Sequence, residues 1–179
     1  MTSRNTTETI KIAILGGGIG GLALANSLKM VGLSFHLFER ANEFSEVGAG
    51  IGLSESTLDI LGKIGLGTGA RENGKLVKNA VLADKNFSTI RVIPTEGDGM
   101  CIDRTRLIEI LSQNMEPEDY SLGKELSGFH QGDGKIILEF SNGGTAEADV
   151  LVACDGINSI VRNSVFPEVK KRYSGQTIW

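Results

Sequence analysis

This 179-residue chain lacks three features that would each point at once to a class of protein: long apolar runs, a secretory signal and an excess of basic charge. Its longest apolar runs, such as 12–15 and 150–154, are far shorter than the roughly 20 residues that span a bilayer. The first nine residues, MTSRNTTET, are polar and contain no apolar core of a signal peptide. A net charge of −4 provides no basic stripe for nucleic acid or an anionic membrane surface. We therefore expect no nucleic-acid or membrane partner.

Cysteine and histidine are also scarce. The two cysteines, Cys101 and Cys154, are far apart and have no CxxC spacing, so we expect two buried, reduced thiols and a cytoplasmic location. His36 falls within a predicted strand and is expected to be structural, whereas His130 falls in a β-rich turn region and is expected to be exposed. No His, Cys and Asp residues have metal-ligand spacing, and no nucleophile lies beside a base. We assign neither a metal site nor a catalytic side chain.

Glycine, in contrast, is abundant, with 24 residues that cluster at 16–21, 48–52 and 62–69. Around the first cluster, apolar spacing predicts a strand at 10–15, a helix at 20–31 and a strand at 34–39. Gly32 follows the helix as a C-terminal stop. A strand, helix and strand within about 30 residues form a βαβ unit. A glycine-rich connection over 40–53 and a helix over 55–63 are expected next.

The rest of the chain is richer in antiparallel signals. We predict two strands around a turn at 84–86 and a helix at 104–115. A β-rich stretch at 120–149 contains turns at 132–134 and 142–144, and a buried strand at 149–154 precedes a helix near 158–165. A plain nicotinamide-binding domain would continue as βαβαβ. The pattern instead predicts an α/β fold in which an antiparallel β layer is inserted into a Rossmann-like parallel sheet.

The first glycine cluster contains a dinucleotide-binding motif. Residues 16–21, GGGIGG, supply G-x-G-x-x-G through Gly16, Gly18 and Gly21, between an apolar strand and an apolar helix. Gly16 permits the tight turn, Gly18 lets the backbone approach a pyrophosphate, and Gly21 lets the helix pack close to the strand. The N-terminus of that helix attracts the phosphates.

The dinucleotide-binding motif also requires an acidic residue at the end of the second strand, and the chain has one there. Glu39 closes the second strand, 23 positions after Gly16, where a carboxylate accepts hydrogen bonds from an adenosine ribose. Its charge repels a 2′-phosphate, so we expect FAD or NAD rather than NADP at this site. The alternative is a solvent-facing glutamate at a strand end.

Four segments of the chain resemble segments of one protein family, and they occur in the same order along the sequence. ILGGGIGGLALANSLKMVGLSFHLFER, GAGIGL, IDRTRLIEIL and DVLVACDGINSIVR resemble the group A FAD-dependent monooxygenases, which include aromatic hydroxylases and tetracycline-degrading enzymes. The resemblance covers about 10–175. It implies a Rossmann-like FAD-binding domain and hydroxylation of an aromatic or polycyclic small molecule, with FAD as cofactor and NAD(P)H and O₂ as co-substrates.

The resemblance also implies where the cofactor binds. Gly50 and Ile51 match backbone that runs beside the flavin, Arg104 matches a helix-start arginine that contacts the cofactor, and Asp155 and Gly156 match a DG motif associated with FAD and NAD(P)H. The full set of implied cofactor-binding positions is Gly16, Gly18, Ile19, Gly20, Gly21, Glu39, Arg40, Gly50, Ile51, Arg104, Asp155 and Gly156.

Several of these positions have structural alternatives. Arg104 is alternatively a surface helix arginine, and Asp155 an N-cap for the helix near 158–165. Arg106 is expected on a solvated face. Arg162, in the same DG segment, is expected to support Asp155 by a charge-assisted hydrogen bond.

The resemblance suggests an incomplete catalytic unit, because family members are considerably longer. We expect the N-terminal portion of an FAD-binding domain, divided into a βαβ unit and flavin loop (10–76), an inserted β meander with a helix (77–149), and a returning strand with the DG motif (150–166). The second glycine-aspartate motif and much of the substrate pocket are absent from the sequence. We expect self-association or a separate C-terminal half as a partner.

Three other functions stay open. Another FAD-dependent oxidoreductase, such as a geranylgeranyl-type reductase, would carry the same motifs. A NAD-dependent dehydrogenase is disfavoured by the meander at 77–149 and by Arg104. A non-catalytic dinucleotide-binding module fits the short length.

Overall fold

The protein is described by a computed structural model that covers residues 11–44, 48, 50–95 and 97–176. Within these residues the strands are β1 (Ile12–Leu15), β2 (Phe35–Phe38), β3 (Gly50–Leu53), β4 (Lys75–Leu76), β5 (Asn79–Ala83), β6 (Thr89–Pro94), β7 (Met100–Asp103), β8 (Tyr120–Ser121), β9 (Leu126–Gly132), β10 (Lys135–Phe140), β11 (Thr145–Ala148) and β12 (Val150–Ala153). The helices are α1 (Ile19–Met30), α2 (Glu55–Lys63), α3 (Gly67–Asn73), α4 (Arg104–Ser112) and α5 (Ile160–Val165).

A parallel sheet with the order β12-β1-β2-β8 forms the centre of the fold. Ile14 of β1 lies between Val152 of β12 and Leu37 of β2. Ile14 and Leu37 are fully buried because helices and loops cover the sheet, as the apolar runs of a parallel sheet require. The βαβ unit and the returning strand β12 are confirmed. Strands β2 and β12 are each one residue shorter at either end than expected, and α1 is shifted by one residue toward the N-terminus. Strand β1 begins at Ile12, and Ile10, its expected start, lies outside the described residues.

Antiparallel sheets are inserted between the parallel strands, with the orders β3-β7-β4, β5-β6 and β11-β10-β9. The two strands around the 84–86 turn and the turns at 132–134 and 142–144 are confirmed. The fold is therefore the expected α/β class with an antiparallel insertion.

Strand β3 corrects one expectation. The sequence predicts a glycine-rich connection over 50–53, but these residues form a strand that pairs antiparallel with β7. Glycine disfavours strands by its own conformational preference. Long-range pairing, in which Gly50 lies opposite Asp103, overrides that preference.

The second helix begins and ends where the sequence predicts, because Ser54 Oγ accepts a hydrogen bond from the Thr57 N–H as an N-cap. Helix α3 was not predicted. A Cβ on Gly67 would lie 2.7 Å from the Gly62 Cα, so the glycines at 62–69 permit α2 and α3 to pack closely.

Two later helices are shorter than predicted. Helix α4 ends at Ser112 rather than at 115, because the Met115 N–H turns back to the Ser112 carbonyl. The helix expected near 158–165 comprises a 3₁₀ turn at Gly156–Asn158 and then α5.

The thiols also correct an expectation. Cys101 is exposed on β7 and Cys154 is only half-buried, so the expected burial of both is wrong. Cys101 is exposed because it lies on the side of the β3-β7-β4 sheet that faces away from the buried Ile102. No helix in the described part of the chain is long and apolar enough to cross a bilayer.

Candidate functional site

A cavity of about 340 Å³ lies at the carboxyl ends of β1, β2 and β12. That size falls in the usual range for small-molecule sites, roughly 300–1,000 Å³. The edge of a parallel sheet where strands end is the usual ligand position of α/β folds. Six of the twelve predicted cofactor-binding residues line it: Gly16, Gly18, Glu39, Arg40, Asp155 and Gly156.

The glycine turn is shaped by its contacts with β12. Gly16 has a φ of +104°, and a Cβ there would lie 2.4 Å from the Cys154 carbonyl oxygen. A Cβ on Gly21 would lie 1.9 Å from the Gly16 carbonyl oxygen. Only glycine therefore fits at either position. Gly16 makes the turn, and Gly21 lets the first turn of α1 approach it.

Gly18 differs from Gly16 and Gly21. A Cβ at Gly18 would meet no atom within 4 Å, and its φ of −77° is one that any L-residue adopts. The folded chain itself therefore imposes no requirement for glycine here. The free space faces the cavity, where a ligand would approach the backbone.

Helix α1 begins beside this space without a side-chain cap. Gly18 is its N-cap residue, no side chain accepts from its first turn, and that turn carries no acidic residue. The first N–H groups of a helix have no partners within the helix, and the helix dipole makes this end positive. The start of α1 is therefore suited to an anion such as a pyrophosphate.

Glu39 also lines the cavity and lies next to the glycine turn that leads into this helix. Its Oε2 accepts a hydrogen bond from the Gly17 N–H at 2.5 Å, and its Oε1 accepts from the Ala41 N–H at 2.7 Å. The carboxylate is therefore anchored to the backbone of both the glycine turn and the following loop. An ionised carboxylate has about four acceptor positions, so acceptor capacity is left for ribose hydroxyls.

Asp155 follows β12, and only one of its two carboxylate oxygens accepts a hydrogen bond. Its Oδ2 accepts from the Ile160 N–H at 2.9 Å, whereas its Oδ1 is buried and without a partner. The N-cap role falls to Ser159, whose Oγ accepts from the Arg162 N–H. A buried carboxylate oxygen without a donor is costly in a folded protein. This orphaned acceptor at the cavity wall suits a donor from a ligand.

Arg162 does not support Asp155 as expected. Its guanidinium donates to the Ile157 carbonyl oxygen at 2.7 Å instead. The 3₁₀ turn bends the chain so that a backbone carbonyl, rather than the carboxylate, lies within reach of the arginine.

The other six predicted residues do not line the cavity. Ile19, Gly20 and Gly21 lie in the first turn of α1. Gly50 and Ile51 lie on β3, where Gly50 pairs with Asp103, and Arg104 begins α4 directly after that residue. Gly50, Ile51 and Arg104 form a second group, which we call the β3–α4 corner.

Gly48 packs against the β3–α4 corner. A Cβ on Gly48 would lie 2.9 Å from the Arg104 Cδ, so the glycine leaves room for the aliphatic part of that side chain. Arg106, two residues further along α4, donates to Asn73 Oδ1 and Glu109 Oε2 and is half exposed, as expected for a solvated face.

Sequence reasoning missed several residues that line the cavity: Leu15, Gly17, Phe38, Ala41, Glu43, Phe44, Lys124, Glu125, Leu126, Cys154, Asn158 and Ile160. The segment 124–126 is brought there because the Lys124 N–H donates to the Glu39 carbonyl oxygen. Its distance in sequence from the glycine turn leaves no local signal of this contact.

Two groups have shifted pKa values, Cys154 at the cavity and His36 on β2. Burial and then the Asp155 charge raise the pKa of the Cys154 thiol, which therefore stays protonated near neutral pH. Burial lowers the pKa of His36, although the Glu118 carbonyl and the Asp119 charge oppose the shift. The His36 ring lies 2.9 Å from Ser121 Oγ and 3.1 Å from the Glu118 oxygen, so it joins β2 to the β8 region.

Comparison with known proteins gives consistent matches. The sequence model of the FAD binding domain family matches residues 9–175. Aurachin C monooxygenase/isomerase of Stigmatella aurantiaca is 30% identical over 177 residues, which cover 95% of this chain and 46% of the relative. A 3-amino-4-hydroxybenzoate 2-monooxygenase of Streptomyces platensis is 29% identical over 183 residues, covering 97% of this chain and 46% of the relative.

A solved structure shares the fold. The 2,6-dihydroxypyridine-3-hydroxylase of Arthrobacter nicotinovorans superposes with a TM-score of 0.81 at 25% identity, over 93% of this chain and 42% of that chain. The 179 residues therefore span less than half the length of these relatives.

Proposed function

This chain belongs to the FAD binding domain family, and from that membership we propose that it supplies the ADP-binding part of an FAD-dependent monooxygenase that hydroxylates a small aromatic compound. The observation that carries the proposal is the open space at Gly18. It lies at the uncapped start of α1, beside a carboxylate at the end of β2.

The residues fit the ADP half of FAD in three ways. The α1 N-terminus would hold the pyrophosphate, Gly18 would leave room for it, and Glu39 would accept hydrogen bonds from the adenosine ribose. Asp155, with its orphaned Oδ1, would accept a further bond from the cofactor or from a bound water. Arg40, at the exposed rim, would screen the phosphate charge.

The flavin half would extend toward the β3–α4 corner. When bound, FAD supplies the chemistry of accepting a hydride from NAD(P)H and of activating O₂, whereas the protein binds and orients it and excludes water. Arg104 and the backbone of Gly50 and Ile51 are proposed to contact the flavin side. No side chain of the described cavity is proposed to act as nucleophile or base.

The substrate class rests on the names of the relatives. Two of the three proteins compared above act, by name, on an aminohydroxybenzoate and a dihydroxypyridine, both of which are small hydroxylated aromatic rings. Because the matched region covers less than half of each relative, we propose an aromatic substrate and no particular one. NAD(P)H and O₂ are the proposed co-substrates.

A second candidate is nucleotide binding without turnover by these residues alone. It is favoured by the position of the β3–α4 corner, whose residues do not line the cavity that fits the ADP half. NAD(P)H consumption with product analysis distinguishes the two candidate functions. It is measured for this chain alone and for this chain together with the part of a relative that lies outside the match.

Calorimetric titration of the purified chain tests the site directly. We expect FAD and ADP to bind and FMN, which lacks the adenosine half, to bind far more weakly. Gly18→Val is expected to remove binding of both FAD and ADP. Equal affinity for FMN and FAD, or normal flavin content in Gly18→Val, would show that the glycine-turn cavity is not the cofactor site.

A further inference from the structure

Phe44 contacts the junction between the glycine turn and the ribose-binding carboxylate. A Cβ on Gly17 would lie 2.8 Å from Phe44 Cε1, 3.0 Å from Phe44 Cδ1 and 3.1 Å from Glu39 Cβ. Gly17 has no positive φ, so a side chain here is opposed by this packing and not by the backbone conformation. The phenyl ring thus lies on the Gly17 backbone in the space that a side chain would fill.

The ring is itself fixed in place. Phe44 and Tyr120 make an edge-to-face contact with ring centroids 4.8 Å apart and planes inclined by 64°. Both rings pack against the main hydrophobic core. Tyr120 lies opposite Leu37 in the parallel sheet, so the sheet register determines where the Phe44 ring lies.

The same ring faces the ligand cavity. Phe44 lines the cavity and is half-buried, and the Gly17 backbone beneath it is buried. The Gly17 N–H under the ring donates to Glu39 Oε2 at 2.5 Å. A hydrogen bond to a charged group gains strength where water is excluded. The ring therefore protects the bond that orients the carboxylate.

We propose that Phe44 is a positioning residue that sets the ribose specificity of the cavity by holding Glu39 against the Gly17 N–H. This inference rests on the proposed function, since it takes an adenosine ribose as the partner of Glu39. With both carboxylate oxygens anchored, at Gly17 and Ala41, the remaining acceptor positions of Glu39 point in fixed directions. Without the ring, water competes for the Gly17 N–H, and the side chain turns among rotamers.

The test compares ADP with 2′-deoxy-ADP by calorimetry. Loss of one hydrogen bond to a carboxylate corresponds to roughly 10–150-fold in affinity, so the unaltered chain should prefer ADP by about that factor. In Phe44→Leu, which keeps apolar volume but removes the ring, we expect the preference to fall to about 3-fold or less, mainly through weaker ADP binding. Phe35→Leu is the matched control, because Phe35 packs against the same core but does not line this cavity.

Amide hydrogen exchange provides a second readout that needs no nucleotide. Exchange of the Gly17 amide should accelerate by about 10-fold or more in Phe44→Leu and stay unchanged in Phe35→Leu. An unchanged ADP preference, with both affinities reduced equally, would show that Phe44 only stabilises the fold. Protection of Gly17 that survives in Phe44→Leu would also overturn the proposal. If the unaltered chain binds neither nucleotide, the proposed function fails, a result separate from the Gly17 outcome.

Discussion

Glu39 Oε2 accepts a hydrogen bond from the Gly17 N–H at 2.5 Å, although the two residues are 22 positions apart in sequence. The bond connects the end of β2 to the loop between β1 and α1. It fixes the acid that would bind the ribose relative to the backbone that would bind the pyrophosphate. Changes at either residue are therefore expected to affect both nucleotide binding and local stability.

Removal of the carboxylate should weaken nucleotide binding. We expect Glu39→Ala to reduce FAD and ADP affinity by about 1.5–3 kcal/mol, the usual contribution of hydrogen bonds to a charged group. Glu39→Gln, which keeps one acceptor oxygen, should lose less. Titration of both variants by calorimetry checks this, and an affinity that is unchanged in Glu39→Ala would exclude the ribose role.

Substitutions at two glycines of the turn should have different effects on FAD binding and on the stability of the fold. Gly18→Val should leave the unfolding midpoint nearly unchanged, since a Cβ there would meet no atom within 4 Å, yet it should abolish FAD binding. Gly21→Ala should destabilise the fold by about 1–3 kcal/mol or more, because its Cβ would overlap the Gly16 carbonyl. Thermal unfolding with parallel titrations measures both. Equal destabilisation by the two variants would contradict this assignment.

Asn26 should contribute to the packing of α1 on α4. Its buried side-chain amide donates to the Leu22 and Leu111 carbonyl oxygens, each at 2.8 Å. Asn26→Ala leaves the Leu111 acceptor without this donor, so we expect a loss of about 1–3 kcal/mol in the free energy of unfolding. Ser27→Ala is the control and should cost less, because the Ser27 hydroxyl donates to the Ala23 carbonyl oxygen within the same helix. Urea denaturation compares them.

The Lys29–Asp119 ion pair should make stability depend on acid pH. Burial alone would raise the pKa of Asp119, but hydrogen bonds from Lys29 and the Glu116 N–H, with the Lys29 charge, outweigh it and lower that pKa. A carboxyl group whose pKa is lower in the folded chain than in the unfolded chain stabilises the fold at pH values above its unfolded pKa, which is near 3.8. This stabilisation is lost as the pH falls through the pKa of the folded state.

We expect Lys29→Met to lower stability by about 0.2–1 kcal/mol at pH 7, because Lys29 is 38% exposed and water screens the pair. The loss should shrink as the pH falls from 3.8 through the lowered pKa of Asp119. Urea unfolding at pH 7 and pH 2 checks this. A deficit of the same size at both pH values would show that the methionine acts through packing rather than charge.

The β5–β6 hairpin should promote self-association. Val81 and Val92 lie opposite each other and are 59% and 49% exposed, and an isolated two-stranded sheet is marginally stable in water. We expect light scattering to show a mass that rises with concentration. Val81→Glu combined with Val92→Lys retains a favourable cross-strand pair and should reduce the association. Ile60→Lys, equally exposed on α2, should not.

Much of the fold could be predicted because its signals are local. The apolar spacing around GGGIGG, the Ser54 cap of α2 and the turn residues at 84–86 and 132–134 act over a few residues, so they determined the βαβ unit, α2 and the hairpins. The same local signals identified Gly16, Gly18, Gly21 and Glu39 as a group. They failed at β3, where glycines form a strand only through pairing with β7.

The sequence by itself determined that this protein has a glycine turn, a helix start and a strand-end acid, since each depends on neighbouring residues. Only the tertiary structure decided that Gly18, unlike Gly16 and Gly21, has room for a Cβ, that Asp155 keeps one oxygen without a donor, and that Phe44 lies on Gly17. These facts depend on the register of β12, β1, β2 and β8, which brings together residues far apart in the chain. No local backbone preference encodes that register, because it arises from the packing of the whole core.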